Sequence, residues 1–258
     1  MITNLAYNAL IKEVELTCKP GLVDKHNNGS HKDMNIDTFY ASANAIKPFI
    51  GKFYKCRNDF DGLRKIGIEC EKKMFLVTKG VNTHKGMIFS LAVICGAIGS
   101  VGTDSFITLQ NEIKDICKNL VKNDLERPFR IQTNGERFYI KTKNKGIRGE
   151  ASLGYPTIFG HSLPFFIKKK NKYGEEIALK LTLLLLMSMT EDSTLYARGG
   201  IEGIKFTQKK AKELLYVKDI TLLESNLKKF DKIMIEKNLS AGGSADLLAL
   251  TWFLSQLY

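Results

Sequence analysis

Thr103-Asp104-Ser105-Phe106-Ile107-Thr108-Leu109-Gln110-Asn111-Glu112-Ile113-Lys114-Asp115-Ile116-Cys117-Lys118-Asn119-Leu120 is the stretch whose reading decides the fold class. Phe106, Leu109, Ile113, Ile116 and Leu120 recur at spacings of three and four. At 3.6 residues per turn these positions share one face of an α-helix, whereas a half-buried strand would alternate every second residue. Thr103 or Asp104 is the expected start of this helix.

The same period recurs on both sides of that stretch. Leu5, Ala6, Ala9, Leu10 and Val14 lie on one face of a first helix capped by Thr3 or Asn4. Asp37 is the expected cap of a second, which carries Phe39, Ala43, Ile46 and Phe49; Leu63, Ile66, Cys70 and Met74 form a third stripe. The Gly- and Ala-rich run from Met87 to Ile98 is suited to close packing against neighbours. Further helices are expected over 157–168, 175–190, 207–216, 219–237 and 244–257. Residues 130–141 read two ways. Asn134-Gly135 between β-prone residues is a hairpin signal, and a short capped helix from Gly135 fits as well. No repeat, low-complexity tract or proline-rich linker divides the chain, so the expectation is all-α: one multi-helix domain over 1–258, its site formed by glycine-rich polar loops.

The 258 residues are 44% hydrophobic and 26% charged, which is ordinary for a folded globular protein and unlike a disordered one. A net charge of +12 suits polyanionic ligands, among them nucleotide phosphates, nucleic acid and acidic membrane surfaces. The opening Met1-Ile2-Thr3-Asn4-Leu5-Ala6-Tyr7 has no basic segment followed by an apolar run. The most apolar stretch, Ile177 to Met189, is interrupted by Lys180 and is too short to span a bilayer. Five scattered cysteines (Cys18, Cys56, Cys70, Cys95 and Cys117) form no CxxC pair, which argues against a zinc site or a disulfide framework. A cytoplasmic protein is expected.

Chemistry is concentrated in five glycine-punctuated polar segments: Lys19 to Asp33, Gly80 to Gly86, Gly146 to Glu150, Arg198 to Gly200, and Ser240 to Asp246. Each combines glycine, which lets backbone approach a ligand, with a cation or a carboxylate. Several precede helices, whose free N–H groups favour anions. None is a Walker loop, a GxGxxG turn, an HExxH, a GxSxG or a kinase signature. Arg148 and Arg198, beside glycines, suit either phosphate forks or structural ion pairs. Glu15, Asp24, Asp33, Glu150, Asp192 and Asp246 fall in or beside these segments, where oxygen clusters can bind magnesium and single carboxylates can cap helices. His84 reads as a phosphate ligand or proton shuttle, or as a loop histidine bonded to backbone. His26 and His31 read as a solvated loop and His161 as a surface or cap residue.

Taken in order, these segments resemble one family, the ATP:dephospho-CoA triphosphoribosyltransferases. The resemblance is carried by Glu13-Val14, Lys19-Pro20-Gly21-Leu22-Val23-Asp24, Asn27-Asn28-Gly29-Ser30-His31-Lys32-Asp33-Met34 and Gly80-Val81-Asn82-Thr83-His84-Lys85-Gly86. It continues through Arg148-Gly149-Glu150-Ala151, Arg198-Gly199-Gly200 and Gly242-Gly243-Ser244-Ala245-Asp246-Leu247-Leu248-Ala249-Leu250-Thr251-Trp252-Phe253. The family usually has Asp-Thr-Asn and His-Arg-Gly-Gly where this chain has Asp192-Ser193-Thr194 and Ala197-Arg198-Gly199-Gly200. Ala241 and Cys18 stand where prolines are common.

The resemblance implies transfer of the triphosphoribosyl group of ATP to a ribose hydroxyl of 3'-dephospho-CoA, with magnesium as cofactor and adenine released. Its product would feed the acyl-carrier-protein pathway of citrate lyase or malonate decarboxylase. It assigns Lys19, Lys85, Arg148 and Arg198 to phosphates, with Asn28, Asn82, Gly199, Gly200, Gly243 and Ser244 as further substrate contacts. Asp24, Asp192 and Asp246 fall to magnesium. Glu150 is expected to be the base or the oxocarbenium stabiliser, and His84 to assist adenine departure or bind phosphate. No nucleic-acid or membrane partner is expected, and the apolar last helix offers a face for a homodimer.

Two other classes stay open on the residues themselves. A magnesium-dependent nucleotide or ADP-ribosyl glycosyl hydrolase would release sugar phosphate without dephospho-CoA. An RNA-binding module would need stacking aromatics along a basic groove, and the carboxylates of these loops repel nucleic acid.

Overall fold

Residue placement follows from one helix that is apolar on every side. In the computed structural model, which describes residues 1–126, 133–217 and 219–257, α4 (Lys85–Val101) buries Met87, Ile88, Leu91, Val93, Ile94, Ala97 and Ile98 around its whole circumference. Such a helix has no solvent face and must lie inside the fold. It is wrapped by α2 (Ile36–Cys56), α3 (Phe60–Val77) and α5 (Phe106–Cys117), while α1 (Ile2–Glu15) covers the far side of α2. The helix over the deciding stretch buries Leu109, Ile113 and Ile116, as their spacing requires. Contact between α2 and α4 is at backbone distance: a Cβ at Gly99 would stand 1.9 Å from the Tyr54 carbonyl oxygen. The small residues of α4 are what permit that approach.

The second half repeats the plan. After the short helices α6 (Leu120–Asp124), α7 (Asn134–Thr142) and α8 (Gly146–Ser152) come α9 (Leu163–Tyr173), α10 (Glu175–Met189), α11 (Ser193–Leu215), α12 (Leu223–Glu236) and α13 (Gly242–Ser255). The described residues contain no strand. α10 packs on α9 and α11, and α13 runs between the halves, touching α1, α4, α9, α10 and α11. One continuous apolar cluster therefore extends from α1 to α13. The last helix is covered inside its own chain, with Leu247 to Leu254 all buried, so it presents no free apolar face to a second copy. No helix among the described residues is long and apolar enough to cross a membrane.

Several local expectations are corrected. Asn35, not Asp37, caps α2: its backbone is extended (φ −139°) and its side chain exchanges hydrogen bonds with Thr38. Asp37 sits in the first turn, where its charge complements the helix dipole instead. Ser105 caps α5, and α1 starts behind Met1 with no side-chain cap. Between the two readings of 130–141, the helix holds over Asn134–Thr142 and the hairpin does not. Thr133 accepts from the Glu136 N–H (3.2 Å) and Glu136 accepts from the Thr133 N–H (2.9 Å), a reciprocal cap that outweighs the Asn-Gly turn signal. Residues 130–132 lie outside the described residues. Two segments read as loops are helical: Gly146 to Glu150 lies in α8, and Arg198-Gly199-Gly200 lies inside α11, which kinks at Gly200 (φ +61°, ψ −158°).

Candidate active site

All five glycine-punctuated segments reach one cavity of about 1000 Å³ between the two halves. Lys19 comes from the loop after α1; Asn82, His84 and Lys85 from the entry to α4; Arg148 and Glu150 from α8; Asp192 and Arg198 from α11; Gly243 and Asp246 from α13. Residues more than 200 apart in sequence thus share a wall. The volume is at the upper end for one small-molecule pocket and suits large or paired ligands. Asp24, Asn28, Gly199, Gly200 and Ser244 do not line it.

Their own partners explain why. The Asp24 carboxylate accepts the N–H groups of Lys19 (3.0 Å), His26 (2.7 Å) and Asn27 (3.1 Å), which folds the Lys19 to Asn27 turn. Asn28 is exposed, and its carbonyl accepts the His31 N–H. Gly199 makes room for Leu239, whose Cδ2 would stand 2.5 Å from an added Cβ. The Ser244 N–H donates to Asp192 Oδ2 (3.0 Å), and Ser244 itself is buried. Asp192 lines the cavity, yet its other oxygen accepts the N–H groups of Thr194 (2.7 Å) and Leu195 (3.2 Å). It clamps the starts of α11 and α13 together. Burial still raises its carboxyl above the usual range, against those backbone hydrogen bonds.

Asp246 differs. Among the described residues no group donates a hydrogen bond to its carboxylate, which lies against Gly86, where an added Cβ would meet Oδ2 at 2.6 Å. Burial first, then the nearby Glu13 and Asp192, holds its carboxyl well above the ordinary value. Beside it, the buried Lys19 ammonium pairs with Glu13. His84, 4% exposed, packs edge-on against Phe39 with ring centres 5.0 Å apart. Burial and the Lys19 charge lower its pKa to about 3, so the ring is neutral at physiological pH.

The remaining predicted cations are tethered. Lys85 pairs with Glu71 (3.0 Å), and Arg148 reaches Asp124 and Glu136, each at 3.4 Å. Arg198 donates to the Ser30 carbonyl (2.8 Å), to Asn238 Oδ1 (2.7 Å) and to His31 Nδ1 (3.0 Å). His31 in turn contacts Ser240 Oγ at 2.9 Å through Nε2, and its pKa is lowered to about 4, by burial first and then by Arg198. The reading of His31 as a solvated loop residue is therefore corrected: it is wedged between α11 and the loop before α13. Glu150 takes hydrogen bonds from Thr157 on both oxygens, 2.7 Å from the hydroxyl and 3.3 Å from the N–H. The Asn82 side chain accepts the Lys85 N–H (3.1 Å) and so fixes the entry to α4.

Sequence reasoning gave no site role to Glu13, Asp124, Glu136 or Thr157, all on the cavity wall. Glu13 falls on the same buried face of α1 as Ala6, Ala9 and Leu10, so the helical period could have pointed to it. Among the described residues the wall is acidic. There Lys19, Arg64, Lys85, Arg148 and Arg198 face Glu13, Asp33, Glu71, Asp124, Glu136, Glu150, Glu191, Asp192 and Asp246, five cations to nine carboxylates. No group of three or more His, Cys, Asp or Glu among the described residues is arranged to hold a metal ion by itself. A magnesium ion bound through phosphates needs only one or two protein carboxylates, and the unpartnered Asp246 fits that requirement.

The profile of the ATP:dephospho-CoA triphosphoribosyl transferase family matches residues 1–258. A Photobacterium profundum protein named "Probable 2-(5''-triphosphoribosyl)-3'-dephosphocoenzyme-A synthase" is 44% identical over 100% of this chain and 87% of its own. A Vibrio cholerae protein of the same name is 42% identical, over 100% of this chain and 88% of its own. No solved structure matches the chain. With that match over its whole length, and with the family's segments gathered on one cavity, this chain belongs to the ATP:dephospho-CoA triphosphoribosyl transferase family.

Proposed function

We propose that the cavity carries out the transfer named by the family: ATP and 3'-dephospho-CoA bind together, and the triphosphoribosyl group moves to the coenzyme. A ribose hydroxyl of dephospho-CoA forms a bond to the anomeric carbon of the ATP ribose. The carbon–nitrogen bond to adenine breaks, and its electron pair leaves with the base. Glu150 accepts the hydroxyl proton, its carboxylate oriented by Thr157. Lys19, Lys85, Arg148 and Arg198 hold phosphates, with Asn82 and Gly243 lining the same wall.

Magnesium, when bound, neutralises triphosphate charge, and Asp246 is the residue that would hold it. Asp24, behind the wall, and Asp192, within it, support the site through the backbone that their oxygens organise. An acidic wall strengthens this reading. Five cations set against nine carboxylates would repel a bare triphosphate, whereas a metal-bound one arrives with most of its charge neutralised. The product would pass to the acyl-carrier-protein pathway of citrate lyase or malonate decarboxylase, in the cytoplasm.

The observation that carries the proposal is the convergence of all five segments on a cavity large enough for two nucleotides. Incubation of the purified protein with ATP, dephospho-CoA and magnesium tests it, with products followed by mass spectrometry. The expected result is adenine in equal amount to a dephospho-CoA adduct heavier by one triphosphoribosyl group. Adenine formed without dephospho-CoA would point to a hydrolase, and no adenine under any condition would refute transfer.

A further inference from the structure

Ser42 lies on α2, outside the five glycine-punctuated segments, and is fully buried. Its hydroxyl has two polar neighbours. Thr83 Oγ donates to it at 2.7 Å, and His84 Nδ1 stands 2.7 Å away. A hydroxyl carries one hydrogen and accepts through its lone pairs. Because Thr83 supplies its own hydrogen, the remaining acceptor for the Ser42 hydrogen is His84 Nδ1. If Nδ1 carried a proton instead, the Ser42 hydrogen would be buried with no acceptor, which native structures avoid. This pairing favours the tautomer that carries its proton on Nε2.

That nitrogen is buried and has no hydrogen-bond partner among the described residues. A buried N–H beside a ligand cavity with nothing to donate to is an incomplete hydrogen bond, and a substrate acceptor completes it. The surroundings select the kind of acceptor. Phe39 meets the ring edge-on, Met74 Sδ accepts the His84 backbone N–H at 3.4 Å, and Met87 packs in the same core cluster. Phe60, Phe75 and Phe89 also line the cavity. Aromatic and thioether walls suit a flat heterocycle better than a triphosphate.

We propose that Ser42 is a positioning residue that holds His84 as its Nε2–H tautomer, so that a neutral imidazole donates a hydrogen bond to a ring nitrogen of the departing adenine. The inference rests on the transferase reading of this cavity. As the glycosidic bond breaks, its electron pair moves onto the purine and the ring nitrogens become stronger acceptors. A fixed donor at that point stabilises the transition state more than the ground state, without giving up its proton. The hydroxyl proton of the attacking ribose leaves separately, to the carboxylate, and the departing adenine anion takes its proton from water. A neutral histidine donor of this kind has a precedent in triosephosphate isomerase, where a lowered pKa keeps the imidazole uncharged.

Nitrogen NMR of protein labelled in its four histidines, with His84→Gln used for assignment, tests the proposal directly. The wild type is expected to show an unprotonated, pyridine-type Nδ1 and a protonated, pyrrole-type Nε2 at His84. ATP should shift Nε2, and inorganic triphosphate should leave it in place. Ser42→Ala is expected to mix the two tautomers and to lower kcat for adenine release by about 10-fold, with the KM for ATP within about 2-fold. A proton on Nδ1 in the wild type overturns the proposal. So does a shift of Nε2 by inorganic triphosphate equal to that caused by ATP, which would mean a phosphate contact. The wild-type spectrum decides the tautomer even where Ser42→Ala does not fold. Loss of adenine release in the wild type would sink the transferase reading alone, because the NMR arms need no turnover.

Discussion

Asp246 stands in an environment that opposes its own charge. Burial and two neighbouring carboxylates raise its pKa, and among the described residues no hydrogen-bond donor offsets them. For a carboxyl whose folded pKa is raised, the folded state binds more protons than the unfolded state between the two values. Stability therefore falls as pH rises from about 4, the unfolded value, through the folded one. Asp246→Asn removes that cost. The variant should melt at a higher temperature than wild type at neutral pH in the absence of magnesium, and the gap should close near pH 4. Adenine release should fall by at least about 100-fold. Thermal scans across pH check the first part, and a variant less stable than wild type at neutral pH would contradict it. Glu150→Gln can keep the Thr157 N–H bond through its amide oxygen, with the hydroxyl bond reversed so that the amide donates, and it removes the base. A rate within a few-fold of wild type would take Glu150 out of that role, whereas a loss on the order of 100-fold or more is expected.

Helix α4 shows how an element can be rigid for the benefit of a site at its end. Its first turn carries His84, Lys85 and Gly86 into the cavity, and the rest is locked in the core. Ile94→Ala should cost about 2–5 kcal/mol in denaturant unfolding by leaving a cavity in that core. Gly200 marks the other element with a special backbone. Its φ of +61° with ψ of −158° is a region open essentially only to glycine. Gly200→Ala should destabilise by about 1–3 kcal/mol through strain alone, since an added Cβ meets nothing within 4 Å. Adenine release per folded molecule should stay near wild type, because Gly200 does not line the cavity. A large loss of turnover without loss of stability would show instead that the kink contacts substrate.

At the scale of the molecule, charge is distributed against the simplest reading of it. The chain is +12 overall, yet among the described residues the cavity wall carries more carboxylates than cations, so those wall residues are not the source of the positive excess. Net charge can steer anionic nucleotides toward the protein, but the wall they reach favours triphosphate accompanied by a divalent cation. ATP affinity measured calorimetrically should drop by about 10-fold or more when magnesium is replaced by a chelator. Equal affinity with and without magnesium would remove the metal from the binding step.

Helix content was legible in the residues because a buried stripe imposes a 3.6-residue period that survives without any tertiary information, as at Phe106, Leu109, Ile113 and Ile116. The glycine-punctuated segments were legible too, since glycine beside charge marks places where backbone meets ligand. Their boundaries were less so: Thr133 and Glu136 made a reciprocal cap where Asn134-Gly135 suggested a turn, and local signals of similar strength cannot be ranked without the packing around them. What the tertiary structure alone decided is which polar atoms are already satisfied. Asp24, Asp192 and Asp246 look alike in the sequence, but the first two accept backbone N–H groups and the third accepts none among the described residues. Ser42 carries no signal in the sequence at all, and its role depends on α2 bringing it to 2.7 Å from His84. Hydrogen-bond satisfaction depends on contacts between residues distant in the chain, and those exist only once the helices have packed.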